Sequence, residues 1–214
     1  MLSSLLARPD VTEECELRST FGFMAYHGGT LEKATDAIAR DAAARSGSSF
    51  YGIVQCDPEP LHVPSTAIEP SQSAAMTAFL DHVDVVVTVH GYGRDELRHT
   101  VLVGGTHAGL RDHLVATLGP SLDGYRFLTE PEEIPRGLAG RHPDNPVNRP
   151  AEGGVQLELP PTLRWHYERH GWSDDPGVGR APQVEVLVAG LTAAVGSWAE
   201  ADPTVVAATT QPLI

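Results

Sequence analysis

Two histidines and one glutamate in this chain have the residue types and spacing of a metal site. His27 and His90 each end an apolar segment, and each is followed directly by glycine. Because open α/β sheets build their active sites at the carboxyl ends of strands, we expect both imidazoles at one edge of a sheet. Glu32 follows a Gly28-Gly29 pair that lets the backbone reverse tightly toward His27. Two imidazoles and one carboxylate, with a position left for water, are typical of catalytic zinc.

The same three residues also have a structural explanation that needs no metal. His27 and His90 would then be hydrogen-bonded histidines at strand ends. Glu32 would be a favourable acid near the N-terminus of a helix. The spacing alone does not decide between the two interpretations.

Glu158 is a candidate general base. It comes shortly before Pro160-Pro161, which would end a strand over residues 155–159 at the same edge of the sheet. A carboxylate beside zinc-bound water can accept its proton and later deliver it to a leaving amine. The alternative interpretation is a solvated glutamate on the polar face of that strand.

Several arginines near these positions could bind a substrate. Those that follow His90 or Glu158, or lie in the loop between them, are Arg94, Arg98, Arg141, Arg149 and Arg164. Each could grip a substrate carboxylate or face the oxyanion of a tetrahedral intermediate. Tyr92 is a candidate to line the same pocket. From His90 to Arg164 the chain holds eight Arg against ten Asp or Glu, so the sequence alone establishes no basic patch.

Strand and helix patterns alternate along the chain. Strands are predicted at residues 21–26, 50–55, 83–89, 101–103 and 155–159, and helices from Thr30 to Gly47 and at residues 73–79, 106–118 and 184–198. This alternation predicts a single α/β domain over residues 1–214, with a parallel or mixed sheet between helices. Residues 1–20 have no clear period and are interpreted as a variable N-terminal segment. Residues 134–154 form a long Pro/Gly-rich loop, expected near the site or else simply flexible.

The charge of the chain limits its partners. The sequence has 28 acidic against 15 basic residues, a formal net charge of -13. Nucleic acid is a poor partner for such a chain, because backbone binding requires clustered Lys and Arg. An anionic substrate would be repelled at long range, so its recognition would need a local arginine cluster.

Cysteine content and hydropathy suggest a cytoplasmic protein. Cys15 and Cys56 are too few for a disulfide framework, and both are interpreted as reduced packing residues. Residues 1–6 are apolar but lack the basic leader of a signal peptide, and no later segment offers about 20 consecutive apolar residues for a membrane span. We expect no membrane partner, although release by cell lysis would leave the same sequence. The oligomeric state is not predicted.

Seven phrases, taken in order, resemble the poly-γ-glutamate hydrolase family, first associated with bacteriophages. They are YHGGTLE, GSSFYGIVQ, LHVPSTAI, TVHGYGR, RHTVLVGG, GRHPDNPVN and VQLELPP, and the similarity extends over roughly residues 20 to 200. The resemblance implies a zinc carboxypeptidase-like fold of three layers, α/β/α, with a mixed, mostly parallel sheet. It also implies zinc bound by His27, Glu32 and His90, with Glu158 as general base. The implied activity is hydrolysis of γ-glutamyl amide bonds in poly-γ-glutamate or another acidic peptide.

Two details differ from ordinary carboxypeptidases. The separation of His27 and Glu32 exceeds their His-x-x-Glu spacing, which agrees with the poly-γ-glutamate hydrolases. Asn148-Arg149 looks like the Asn-Arg pair that grips a terminal carboxylate. However, it follows the second histidine, so that role is not carried over and Asn148 is only a candidate substrate contact.

Two alternative functions stay open. One is a zinc amidase acting on peptidoglycan or on small N-acyl amino acids. The other is a non-catalytic, phage-associated binding protein, which would be expected to lack a ligand or the base. All four matched positions are present here, which favours an active enzyme.

Overall fold

The fold is that of a computed structural model, which describes residues 1–201 of the chain. The strands are β1 (Val11–Glu16), β2 (Ser19–Gly29), β3 (Ser48–Gln55), β4 (Val85–Gly91), β5 (Thr100–Gly105), β6 (Arg126–Leu128), β7 (Gly154–Leu159), β8 (Trp165–His166) and β9 (Gly171–Trp172). The α-helices are α1 (Leu2–Leu6), α2 (Thr35–Ser46), α3 (Ala74–His82), α4 (Ala108–Leu118), α5 (Pro161–Arg164) and α6 (Pro182–Ala201). Short 3₁₀ helices occur at Ser65–Ala67, Pro70–Gln72, Asp95–Leu97 and Pro146–Asn148.

Seven strands form one mixed sheet in the order β1-β3-β2-β4-β7-β5-β6. β3, β2, β4 and β7 run parallel to one another, and β5 is parallel to β6. β1 is antiparallel to β3, and β5 is antiparallel to β7. The remaining two strands, β8 and β9, pair separately as a small hairpin. The predicted mixed, mostly parallel sheet is confirmed.

Helices cover both faces of this sheet. α2, α4 and α6 pack on one face, while α1 and α3 pack on the other. Within β4, Val85, Val87 and Val89 enter the first core. Val86 enters the second core. This period of two is expected for a strand buried on both sides, so the three-layer α/β/α architecture is confirmed.

The first 20 residues contain more structure than the sequence indicates. α1 places Leu2 and Leu5 in the second core, and β1 forms an edge of the sheet. The acids of β1 have partners on neighbouring elements, since Glu14 accepts two hydrogen bonds from Arg40 of α2. An edge strand whose charged side chains pair laterally shows no hydrophobic alternation, which is why its pattern predicts no strand.

The start of α2 also differs from the prediction. The sequence predicts that this helix begins at Thr30, but it begins at Thr35, and the Thr30 hydroxyl lies within hydrogen-bonding distance of the carbonyl oxygens of Gln55 and Asp57. Residues 30–34 are therefore a loop held against the end of β3. Glu32 lies in that loop and not in the first turn of a helix.

The two cysteines are unpaired and differ in environment. Cys15 packs against the second core, as expected, whereas Cys56 is exposed, so its interpretation as a packing residue is wrong. Among the helices of residues 1–201, none combines the length and apolar character that crossing a bilayer requires.

Candidate metal centre

His27 and His90 lie on neighbouring parallel strands, near the carboxyl ends of β2 and β4. Their rings are 4.9 Å apart between centroids, and both side chains are buried. Parallel pairing of two strands brings their carboxyl ends to one edge of the sheet. The structure therefore brings together the two histidines that the sequence analysis placed at strand ends.

The loop after β2 returns Glu32 to both histidines. Gly29 has a φ of +73°, a conformation that glycine adopts without steric cost. The backbone N–H of Glu32 then donates to the carbonyl oxygen of His27 at 3.0 Å, which closes the turn. Glu32 Oε1 lies 2.9 Å from His27 Nδ1, and Oε2 lies 3.0 Å from His90 Nδ1. Oε2 also accepts a hydrogen bond of 2.9 Å from the N–H of Gly91.

These three residues could hold a divalent cation. One ligand atom from each lies within 4.8 Å of the other two. His27 Nε2 is 2.9 Å from the carbonyl oxygen of Val63, which can only accept, so this nitrogen must carry a proton. In a neutral ring Nδ1 then has a free lone pair on the side of Glu32. A ring nitrogen fixed by a backbone carbonyl is the usual support of a metal-binding histidine, so the donor set fits zinc.

The charges of the site respond to one another. Burial favours the neutral form of His27, but the Glu32 carboxylate and the Val63 carbonyl outweigh it and raise the pKa of His27. Burial would likewise raise the pKa of Glu32, but His90 and His27 hold it well below its ordinary value. The two histidines therefore keep Glu32 ionised between their imidazoles. His90 Nε2 is buried and has no hydrogen-bond partner among residues 1–201.

Glu158 lies directly beside this group. It occupies the position of β7 that pairs with His90 on β4, and its side chain is only 4% exposed. Its Oε1 accepts a hydrogen bond of 2.8 Å from Gln156 Nε2. Burial, reinforced by the Glu32 carboxylate and opposed by His90, raises the pKa of Glu158 to about 8. The alternative of a solvated glutamate is therefore wrong, and this carboxyl can both hold and release a proton near neutral pH.

A cavity of about 520 Å³ opens beside these residues. His27, Glu32, His90 and Glu158 all line it. Its other walls come mainly from residues 62–66 and 136–142. The second of these segments belongs to the long loop at residues 134–154, so that loop lies at the site. Arg141, a predicted candidate, lines this cavity.

Arg136 also lines the cavity, but it is not among the arginines that the sequence predicts as substrate contacts. The one signal that could have found it was its place in the long loop. His62 also lines the cavity without having been predicted from the sequence, and its ring centroid lies 5.0 Å from that of His27.

Arg94 and Arg98 lie elsewhere. They line a separate depression of about 470 Å³, together with the aromatic rings of Trp165 and Trp172. The two arginines flank the 3₁₀ helix Asp95–Leu97, and each lies near one of its acidic residues, Arg94 near Glu96 and Arg98 near Asp95. The structure does not bring these two arginines to His27, Glu32 and His90.

Tyr92 and Asn148 use their polar groups inside the protein. The Tyr92 hydroxyl donates to the carbonyl oxygens of Leu97 and Thr100. Asn148 Nδ2 donates to the carbonyl oxygens of Gly140 and His142. Neither side chain is among those that line the cavity formed by the described residues.

Arg164 joins the two segments that carry Glu32 and His90. Its guanidinium is buried and donates to the carbonyl oxygens of Lys33, at 2.7 Å, and Tyr92, at 3.2 Å. It packs under Gly91, where an added Cβ would come within 2.5 Å of the guanidinium carbon. Arg164 therefore positions the loop that carries Glu32 and the strand end that carries His90. Its buried position differs from the one expected of a substrate contact.

Comparison with known proteins identifies the family of the chain. The sequence matches the family model described as "Poly-gamma-glutamate hydrolase" over residues 5–173. A comparison with curated proteins finds no match.

Three solved structures have a similar fold. A bacteriophage poly-gamma-glutamate hydrolase superimposes with a TM-score of 0.77 at 22% identity, covering 90% of this chain and 91% of that one. The zinc-free form of YNDL gives a TM-score of 0.73 at 19% identity, covering 88% and 91%. A metallo-carboxypeptidase from Burkholderia cenocepacia gives 0.51 at 9% identity, covering 94% of this chain and 67% of the other. These likenesses confirm the expected carboxypeptidase-like fold, and the match over residues 5–173 shows that the chain belongs to the poly-gamma-glutamate hydrolase family, whose members are amide hydrolases.

Proposed function

We propose that this protein hydrolyses γ-glutamyl amide bonds, with a zinc ion bound by His27, Glu32 and His90 and with Glu158 as general base. The observation that carries the proposal is the convergence of three ligand atoms within 4.8 Å, with Glu158 paired to His90 on the next strand. Family membership supports the γ-glutamyl substrate.

The donor set supports zinc over metals that prefer oxygen ligands. Two of the three side chains offer imidazole nitrogen, which suits zinc, whereas magnesium and calcium take oxygen ligands almost entirely. Three protein ligands also leave a coordination position open. Zinc bound there would supply a Lewis acid and would lower the pKa of a water molecule to about 7.

Glu158 carries out both proton transfers of the proposed reaction. Glu158, in its ionised form, accepts a proton from the attacking water at a carboxylate oxygen. It then delivers that proton to the nitrogen of the scissile amide as the carbon–nitrogen bond breaks. The products are a carboxylic acid and an amine, and Glu158 returns to its starting form. Gln156 holds Glu158 Oε1 in place through its 2.8 Å hydrogen bond.

The test combines metal analysis with hydrolysis of defined substrates. Purified protein should contain a single zinc equivalent per chain and should cleave γ-linked glutamate oligomers much faster than α-linked ones. A chelator should abolish this activity, and added zinc should restore it.

Two results would contradict the proposal. Preferred cleavage of small N-acyl amino acids or peptidoglycan fragments would instead establish the amidase alternative. Zinc-loaded protein that cleaves none of these amides would establish the non-catalytic binding alternative.

A further inference from the structure

We infer that Arg136 and Arg141 form a carboxylate-binding site in the wall of the cavity and select substrates that carry free carboxylates beside the scissile amide. This inference rests on the proposed function, since the bond cleaved is taken to be a γ-glutamyl amide. In a γ-linked chain each residue keeps its α-carboxylate, so an anionic group is present next to every scissile bond.

The first observation is the lack of acidic partners for these two arginines. Most arginines of the chain form ion pairs with Asp or Glu, namely Arg8, Arg18, Arg40, Arg45, Arg94, Arg98, Arg111, Arg149 and Arg180. Arg136 and Arg141 are exposed and make no ion pair with any carboxylate of residues 1–201. In a chain with 28 acidic residues, two such arginines on the wall of one cavity are available for an external carboxylate.

The second observation is the charge inside the cavity. Among its lining residues, all of them in the described part of the chain, the carboxylates are those of Glu32 and Glu158. Glu32 lies between the two histidines, and Glu158 is held by Gln156. These two carboxylates offset the two arginines, whereas a zinc ion held at the proposed site would add two positive charges. With that ion bound, the concave surface would be locally positive, and such a surface focuses the field and can attract an anion despite the net charge of -13.

The third observation is that the backbone carrying the two arginines is fixed. The N–H of Gly105 donates to the carbonyl oxygen of Ala139 at 2.8 Å. Gln156 Nε2 donates to the carbonyl oxygen of Leu138, and Asn148 Nδ2 donates to that of Gly140. Three independent elements therefore hold residues 138–140 between the arginines. A fixed frame reduces the entropy lost when a ligand is bound.

Gln156 connects this frame to the chemistry. The same amide nitrogen that bonds to Leu138 also bonds to Glu158, so the loop and the general base are positioned by one side chain. A carboxylate bound by Arg136 and Arg141 would thus have a fixed position relative to Glu158 and to the proposed zinc ligands.

The test uses Glu158→Gln protein, zinc-loaded, so that binding is measured without turnover. A γ-linked glutamate trimer and the same trimer with its α-carboxylates converted to amides are titrated by calorimetry into this protein. Arg136→Gln and Arg141→Gln, each added to it, should weaken binding of the free trimer by about tenfold, the loss of a charge-assisted hydrogen bond. They should leave binding of the amidated trimer unchanged. Arg126→Gln is the matched control, because Arg126 is exposed, lies outside the cavity and makes no ion pair within residues 1–201.

The outcomes separate this inference from the proposed function. Three results would overturn the carboxylate site. The arginine substitutions could weaken binding of both trimers equally, they could weaken neither, or the free trimer could fail to bind the Glu158→Gln protein at all. Hydrolysis by the wild-type enzyme, with KM unchanged when Arg136→Gln or Arg141→Gln is introduced alone into that active enzyme, would also overturn the carboxylate site while the proposed function stands. Arginine-dependent binding of the free trimer, without hydrolysis by the wild-type enzyme, would leave the carboxylate site intact and remove the proposed function.

Discussion

His90 and Glu158 face each other at paired positions of two parallel strands, β4 and β7. A proposed ligand and the proposed base are thus held by the hydrogen bonds of the sheet itself, and their separation does not depend on a loop. The turn that carries Glu32 brings the third proposed ligand within 3.0 Å of His90 Nδ1. Catalytic function and metal binding should therefore be separable by mutation.

Replacing Glu158 by Gln should abolish hydrolysis and preserve zinc. The amide keeps an oxygen that can accept from Gln156, but it cannot take up a proton from water, so we expect a loss in kcat of about 10²- to 10⁴-fold. Metal content and kcat are measured on the same preparation. Glu133→Gln, at an exposed position, is the control and should change neither. A Glu158→Gln enzyme with full activity would remove Glu158 from the mechanism.

Replacing either histidine by Ala should remove both metal and activity. In the proposed site His27 and His90 each provide one of three ligands, and a site with only two has much weaker affinity. Competition with a chelator measures the zinc dissociation constant. His82→Gln changes a histidine outside the cavity and should retain zinc. Zinc affinity unchanged in both Ala variants would show that the metal binds elsewhere.

Metal-free protein should reveal the burial of Glu158 through pH. The pKa of this carboxyl rises from an ordinary 4.5 to about 8 on folding, so the folded protein keeps a proton that the unfolded chain releases. The free energy of unfolding therefore falls as pH rises from about 4.5 to about 8, and this loss is complete above that range.

Glu158→Gln lacks this loss, so the variant should become progressively more stable than the wild type across that pH window, by a few kcal/mol at its upper end. Thermal melts in chelator at several pH values measure the difference. A difference independent of pH would mean that Glu158 titrates normally in the fold.

Two neighbouring glycines provide a matched test of the positioning role of Arg164. A Cβ at Gly91 would collide with the Arg164 guanidinium, whereas a Cβ at Gly93 would meet no atom within 4 Å. Gly91→Ala should cost about 1–3 kcal/mol of stability through overpacking. It should also weaken zinc binding, because relief of the collision would displace the backbone N–H of residue 91, which donates to Glu32. Gly93→Ala should do neither. Equal effects of the two substitutions would count against this role of Arg164.

The sequence predicts the strand ends of the site better than its loops. His27 and His90 end long apolar segments whose burial on both faces leaves a strong pattern, and their meeting follows from parallel pairing. The sequence predicts that Glu32 returns toward His27, but it does not predict the loop that places it there. Its loop is fixed by distant contacts, such as the hydrogen bond from the N–H of Ala34 to Asp174, and Ala34 adopts a φ of +69°. No local pattern encodes a partner 140 residues away.

Arg136 and Arg164 show the same limit in two ways. Arg136 is an exposed residue in an irregular loop, where no hydrophobic period marks position or direction. Arg164 was named as a substrate contact, but its buried guanidinium binds backbone carbonyls, because the chain brings Lys33 and Tyr92 together around it. Such roles depend on tertiary packing, which only the structure supplies.

The order of the sheet places β4 at its middle, with β2 and β7 on either side. Strands in this position are the last to exchange their amide hydrogens, whereas outer strands can open locally without unfolding the rest. Fraying of β1 or β6 would consequently leave His27, His90 and Glu158 in place. Heat inactivation should then coincide with the cooperative melting of the whole domain and should not precede it.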